Sequence, residues 1–482
     1  MAHALFWPLK SSFHPLGDTP AVFLTQDLAP EQSANILLLG CDDPRHILYT
    51  LSADIVSLGP RNLDIMCCDL EPAVLARNIL LLTLIEAKQD LDYVWDIFYH
   101  FKINEESNKI LTRQSKTLYD AAETVELWRQ SSYGSFCKFL DSRTLAEIRF
   151  HWKSYAEFPD LPSERLNKLL VEQSKLSKSV LNKYESNVLP SRGAGAFILE
   201  ALTPINNLFK RYWETGSILV QDNVTTLNPA FVYSVLGEKF DLAYTTFPQG
   251  FHLAPAFLSP TSETKTEDAI IHTLKQEFSN WAEAFRISRA ADSIVLRFYA
   301  GDALGFCHAL DLRARSGCTI PGLYVSEWHA PQIALDAIEP NTPTSFDVIE
   351  TSNLADHLDF YNIILASRPL MNTRAVLYTE SLLPTKRRDF ERSVMDNRLY
   401  TSIPTFAALI GLAPRAYISG FTSRAPTLQE DHLGEIQERI AWVDPCSGDP
   451  HSVQHTPFVE FDPDALATAL FGLYDKMFYR EQ

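Results

Sequence analysis

The sequence predicts an α/β fold, a doubly wound sheet whose two halves are separated by a large, mostly helical insertion. Three observations predict it. Asn35-Ile36-Leu37-Leu38-Leu39-Gly40 and Leu63-Asp64-Ile65-Met66-Cys67-Cys68-Asp69 are short apolar runs that stop at a glycine or an acid. Buried parallel strands read this way where their carboxyl ends open onto a crevice. The pattern returns late in the chain in Ser293 to Tyr299, Ser345 to Glu350 and Ala375 to Glu380, while the intervening stretch carries long charged helical segments such as Ser142 to Phe158 and Ser163 to Lys183.

Taken in order, residues 1–34 form a Pro-rich arm with a turn at Gly17-Asp18-Thr19-Pro20. Residues 35–86 supply the first part of the sheet domain. The first strand (about 35–40) leads to a helix from Pro44 or Arg45, and the second (about 63–69) to a helix opening at Pro72, where proline suits the first helical position. That helix is apolar nearly all round from Ala73 to Ile85 and is expected to be buried. Residues 87–290 are the insertion, with a few strands near Phe231 to Tyr244; residues 291–385 complete the sheet. Residues 386–482 form a loop-rich C-terminal region with a last helix at about 463–478. Together these elements define a Rossmann-like domain.

With 482 residues and 46% hydrophobic content the chain can bury a large core. No apolar run reaches the ~18 residues of a membrane span, and the N-terminus lacks a basic segment followed by a long apolar one. The expected setting is intracellular and cytoplasmic, with no membrane. Seven scattered cysteines provide no disulfide framework and no C-x-x-C metal pattern, so no metal is expected. A formal charge of -18 repels phosphate backbones, and Lys210-Arg211 and Lys386-Arg387-Arg388 are too small to compensate. Nucleic acid is therefore not an expected partner, and aminoacyl-tRNA stays open only through a local basic cleft.

The strand ends supply the candidate site: Gly40, Asp69, Gly301-Asp302-Ala303 and Thr351-Ser352-Asn353. Gly40 lets the backbone approach a ligand, and Asp69 is placed to accept hydrogen bonds from ribose hydroxyls, or else is a helix N-terminal acid beside Pro72. Asp302 is a ligand acid or a turn aspartate, and Ser352 and Asn353 read best as caps of a helix starting near Leu354. Asp356 and His357 follow the fourth strand, where a general base is useful; a surface pair on a helix is the plainer explanation. His308 lies on an apolar helix pattern and is expected to pack. Gly193-Ala194-Gly195 lacks the Lys-Ser/Thr of a phosphate loop, and Gly250 to Phe257 either walls a pocket or covers the core.

This series of strand ends resembles the class I S-adenosylmethionine-dependent methyltransferase fold. The resemblance implies S-adenosylmethionine as cofactor, with Gly40, Asp69, Asp302 and Asn353 at the matching cofactor positions and a small molecule as substrate. One departure is marked: Cys41, Asp42 and Asp43 follow Gly40, placing two carboxylates where the cofactor's own carboxylate belongs. Either a ligand amine meets them or the site has been repurposed. Over nearly the whole chain, Gly17 to Ala21, Leu24 to Leu28, Ile36 to Leu48, Cys68 to Leu84 and Phe346 to Leu358 also resemble a largely uncharacterised fungal domain family. Its members often carry a MYND zinc finger, absent here, and its domain is similar to the N-terminal part of an axonemal dynein-arm preassembly factor. These resemblances imply three functions: methyl transfer on a small molecule in a fungal pathway, a non-catalytic scaffold that binds another protein, or a natural-product synthase of the arginine-type cyclodipeptide class using an activated aminoacyl donor.

Overall fold

The structure, a computed structural model, describes residues 12–29, 31–57, 59–183, 189–220, 225–258, 266–325, 331–382, 398–419 and 438–445. The helix expected over 463–478 and the cluster Lys386-Arg387-Arg388 lie outside the described residues. In chain order the strands are β1 (Ala34–Leu39), β2 (Leu63–Asp69), β3 (Lys102–Ile103), β4 (Cys137–Phe139), β5 (Thr226–Leu227), β6 (Tyr233–Ser234), β7 (Gly237–Glu238), β8 (Ile294–Ala300), β9 (Phe346–Glu350), β10 (Met371–Ser381), β11 (Ala413–Pro414) and β12 (Glu438–Val443).

Eight of them form one sheet in the order β11-β12-β10-β9-β1-β2-β8-β4. Every pairing from β10 to β4 is parallel, and β12 runs antiparallel between β10 and β11. The arrangement is mixed α/β, compatible with a Rossmann-like fold. Chain order reverses at β1, whose neighbours are β2 on one side and β9 on the other, so a crevice is expected there at the carboxyl ends.

The period-2 alternation of the strands divides the core. Ile36, Leu38, Ile65, Cys67, Leu296 and Val348 point to one face, whereas Leu37, Leu39, Met66, Cys68, Ile349 and Leu377 point to the other. Because both faces are covered, these strands are apolar throughout. The first face receives helix α1 (Arg45–Ser57), helix α2 (Pro72–Glu86) and the aromatic residues Trp95, Trp152, Phe278 and Trp281; the second receives Phe306, Leu310, Ile364 and Phe406. Helix α2 is buried at every position from Pro72 to Ile85, as its uniform apolarity requires. The insertion shares this core and adds β4 to the edge beside β8. Only α1 separates β1 from β2, so Gly40 and Asp69 belong to a single strand-helix-strand step.

Candidate functional site

The carboxyl ends of β1 and β2 meet in a tight acidic turn. Gly40 adopts φ +65°, and a Cβ built there lies 3.1 Å from the Leu354 side chain, so the close packing over the turn needs glycine. Asp42 is also left-handed, at φ +45°, a conformation that aspartate and asparagine tolerate better than most residues. The amides of Gly40 and Cys41 both donate to the Cys68 carbonyl, at 2.9 and 3.3 Å. Asp69 fastens the turn from β2: Oδ2 accepts from the Asp42 amide at 3.3 Å, and Oδ1 accepts from the Glu71 amide at 2.9 Å.

The fourth strand adds Ser352, itself at φ +46°, whose hydroxyl lies 3.3 Å from Asp42 Oδ2. From α2, Asn78 Nδ2 donates to the Asp42 carbonyl at 2.7 Å. Burial drives the Asp69 carboxyl up to about 7, with the Asp42 charge adding to it. Asp42 is lifted to about 6, mainly by desolvation, although the nearby Arg45 guanidinium opposes the shift. Its side chain keeps 30% of its surface exposed, so the turn remains open to solvent at this point.

One step along, the chain closes over itself. Asp43 accepts from the Gly17 amide at 3.0 Å and the Arg45 amide at 3.2 Å, and pairs with Arg45 Nη1 at 2.9 Å, with both side chains buried. Arg45 Nη2 donates to the Thr19 hydroxyl at 3.1 Å, and Thr19 in turn lies 3.4 Å from Glu380 Oε2. Gly250 backs the same guanidinium stem, where a Cβ would stand 2.8 Å from Arg45 Cδ. Of the two purposes expected of the Gly250 to Phe257 loop, the structure supports the covering of the core, where buried Phe251 stacks on Trp281 with 4.7 Å between ring centroids. The anion facing the N-terminus of α1 is thus supplied by the protein itself, as Asp43.

The remaining expected residues fall nearby but in other roles. Asp302 caps the helix Ala303–Ser316, its Oδ1 accepting from the Gly305 amide at 2.7 Å; the Gly301 amide donates to the Asp69 carbonyl at 2.8 Å, so the third strand end adjoins the second. Asn353 stands at the cap position of the helix Leu354–Leu358 without a side-chain capping bond. Asp356 binds the Ser381 hydroxyl and the Leu382 amide, both at 2.6 Å, which ties that helix to the end of β10; His357 is exposed. Gly193 is pressed against the Phe251 carbonyl, so its place in the fold is packing. Glu71, pushed up to about 7 by burial, accepts from the amides of Ala73 and Val235 and so pins the β6–β7 turn to the start of α2. A separate surface cleft of about 490 Å3 is lined by Tyr119, Arg129, Arg149 and Lys153 among others, and none of the turn residues borders it.

Sequence reasoning missed Arg45, Asn78, Gly17 and Thr19. Arg45 carried the one available signal, a cation at the first turn of a helix separated from two acids by a single proline.

A family model described as a domain of unknown function, DUF4470, matches residues 15–103. No curated protein and no solved structure matches the chain. The matched stretch contains the arm segment over Arg45, the acidic turn, Asp69 and Asn78; it ends before Asp302 and Asn353. Among the described residues no helix is long and apolar enough to cross a membrane.

Proposed function

We propose that this protein is a transferase-type enzyme that binds an adenosine-bearing cofactor, with S-adenosylmethionine the first candidate, in the crevice between β1 and β9. The observation that carries the reading is the strand order. Setting aside the added β4, the sheet runs third-second-first-fourth-fifth, followed by a reversed last strand and then the sixth. The class I methyltransferase sheet has this order, and an acid ends its second strand as Asp69 does here.

The residues present fit such a cofactor in part. Asp69 ends the second strand, the position from which an acid receives a ribose in such a sheet, whereas Gly40 lies under the Leu354 side chain. The acidic turn suits a sulfonium or ammonium. It does not suit the cofactor's carboxylate, because the amides of Gly40, Cys41 and Asp42 are all engaged and Arg45 is held by Asp43. S-Adenosylmethionine, when bound, supplies an activated methyl group. The chain's part is to orient the acceptor, exclude water and take up a proton. Asp356 is engaged and His357 faces solvent, so Asp42, with its carboxyl near 6 and partly exposed, is the better proton acceptor.

A specific observation favours a second reading, the non-catalytic scaffold. The arm from Gly17 to Thr19 packs over the α1 end of the crevice, and each strand-end acid has an intrachain partner. Calorimetric titration with S-adenosylmethionine and S-adenosylhomocysteine separates the two. Binding that weakens in Asp69→Asn supports the enzyme; absence of heat with both ligands refutes it and leaves the scaffold, which a stoichiometric protein partner would then support.

A further inference from the structure

We propose that the cleft of about 490 Å3 in the helical insertion is a binding site for a small organic carboxylate with an apolar body, the carboxylate being received by Arg149. Its volume lies in the range of small-molecule pockets, about 300–1,000 Å3. The cleft borders none of the turn residues at the ends of β1 and β2, so a ligand here is independent of a cofactor there.

One face of the helix Ser142–Glu157 makes a wall. Ser142, Leu145, Ala146, Arg149, Phe150 and Lys153 recur at i, i+3, i+4, i+7, i+8 and i+11, the period that places side chains on one side of a helix. The facing wall is the end of the helix Glu105–Ala121 together with the short helix Val125–Gln130. Trp128 from the short helix stacks on Trp152 with 5.6 Å between ring centroids, and both rings are buried, so the walls keep a fixed spacing. At one end Asp336 accepts from the Ser142 amide at 2.8 Å and its hydroxyl at 2.6 Å, while the Ala337 carbonyl accepts from Arg129. This bridge between the helices closes the cleft there and limits it to a short ligand.

Two observations select an apolar carboxylate. Arg149 is fixed from behind: Nε donates to the Tyr119 carbonyl at 3.1 Å, and the guanidinium lies over the Tyr119 ring, 3.9 Å from its centroid. Its two terminal nitrogens have no hydrogen-bond or ion-pair partner among the described residues, in contrast to Arg143 on the same helix, which pairs with Asp141 and Glu147. A guanidinium held in place with its fork free suits a carboxylate, which it binds through two parallel hydrogen bonds. Separately, Phe150 keeps 60% of its surface exposed on the cleft wall beside exposed Ala146, an apolar surface for the body of the ligand.

The other charges of the cleft leave this fork free. Lys153 reaches Glu157 at 3.8 Å and Arg129 stands 3.9 Å from Glu339, so each of these cations has an acid of its own. Glu123 and Glu126 are exposed, and neither pairs with Arg149. Their solvated charges reduce the attraction for an anion without occupying the guanidinium.

The test is a ligand-observed NMR titration of the full chain with 2-naphthylacetate, the neutral 2-naphthylacetamide and the cationic 2-(2-naphthyl)ethylammonium at about pH 7.5, where the carboxylate is ionised. The expected result is that the carboxylate binds about tenfold more tightly than the amide, a preference lost in Arg149→Gln. Phe150→Ala, at an exposed position that leaves the fold intact, should weaken carboxylate and amide by the same factor. Equal affinity for carboxylate and amide, tighter binding of the ammonium, or no binding of the carboxylate up to about 10 mM overturns the site. A carboxylate preference that survives both Arg149→Gln and Phe150→Ala places the ligand elsewhere and overturns it as well.

Discussion

Arg45 Nη1 stands 2.9 Å from Asp43 Oδ1, and the pair is sealed beneath the backbone of Gly17 and Gly250. In an open α/β sheet the first helix presents its N-terminus to an anionic ligand group. Here an aspartate from the same turn takes that position, and the arm is anchored to it.

Asp43→Ala leaves the buried Arg45 charge with only the longer 3.7 Å contact to Asp42. The expected cost is about 3–5 kcal/mol in urea unfolding, the usual penalty for breaking a buried pair from one side. The double change Asp43→Leu with Arg45→Met, which removes both charges, is expected to cost clearly less. Equal losses for the single and double variants would show that the ion pair does not hold the arm.

Gly17→Ala places a methyl group 1.7 Å from Arg45 Nη1, so the guanidinium must move. Overpacking of this kind costs about 1–3 kcal/mol. In Arg45→Ala the same substitution should cost much less, and a double-mutant cycle measures the difference. Additive effects would mean the contact is not present in solution.

Asp69 gives a pH signature. Its folded value near 7 lies above the 3.8 of an unperturbed aspartate, so the folded state binds the extra proton between these limits and this residue's contribution to stability declines as pH rises from about 4 to about 7. Asp69→Asn has no such dependence. Relative to wild type it should therefore gain stability with rising pH across that window, by a few kcal/mol at most. A constant difference from pH 4 to pH 8 would place the Asp69 carboxyl in the ordinary range.

Asp356 and His357 separate structural from chemical roles. Asp356→Ala removes the acceptor for Ser381 and Leu382 and is expected to cost about 1–3 kcal/mol, whereas His357→Ala on the exposed side should stay within about 0.5 kcal/mol. Neither is expected to change affinity for an adenosine ligand more than twofold, as judged by the same calorimetric titration. A tenfold loss in His357→Ala would return that residue to the site.

Five strands of the central sheet were legible because they are buried on both faces, whereas Ala413–Pro414 and Glu438–Val443, in a region expected to be loop-rich, were not. Ile36 to Leu39 and Ile65 to Cys68 are continuous apolar runs with abrupt ends, and α2 is apolar all round because it is enclosed. The strand Cys137–Phe139 was not legible: three residues give no periodicity, and their place beside β8 is fixed by tertiary packing. The acids at the strand ends could be read as a series, but their use could not. Asp302 caps a helix while Asn353 occupies a cap position without capping, and local sequence is the same kind of signal in both. The arm over Arg45 was hidden for a different reason. Gly17 and Gly250 meet one side chain from places 233 residues apart in the sequence, which no local pattern encodes.

The most direct test of the account is hydrogen–deuterium exchange with and without saturating S-adenosylhomocysteine. Added protection at residues 40–43, 69–71 and 300–303, with little change around Tyr119 and Arg149, is the predicted result. Unchanged exchange throughout, or protection confined to the Tyr119 and Arg149 cleft, would contradict a cofactor site at the ends of β1 and β2.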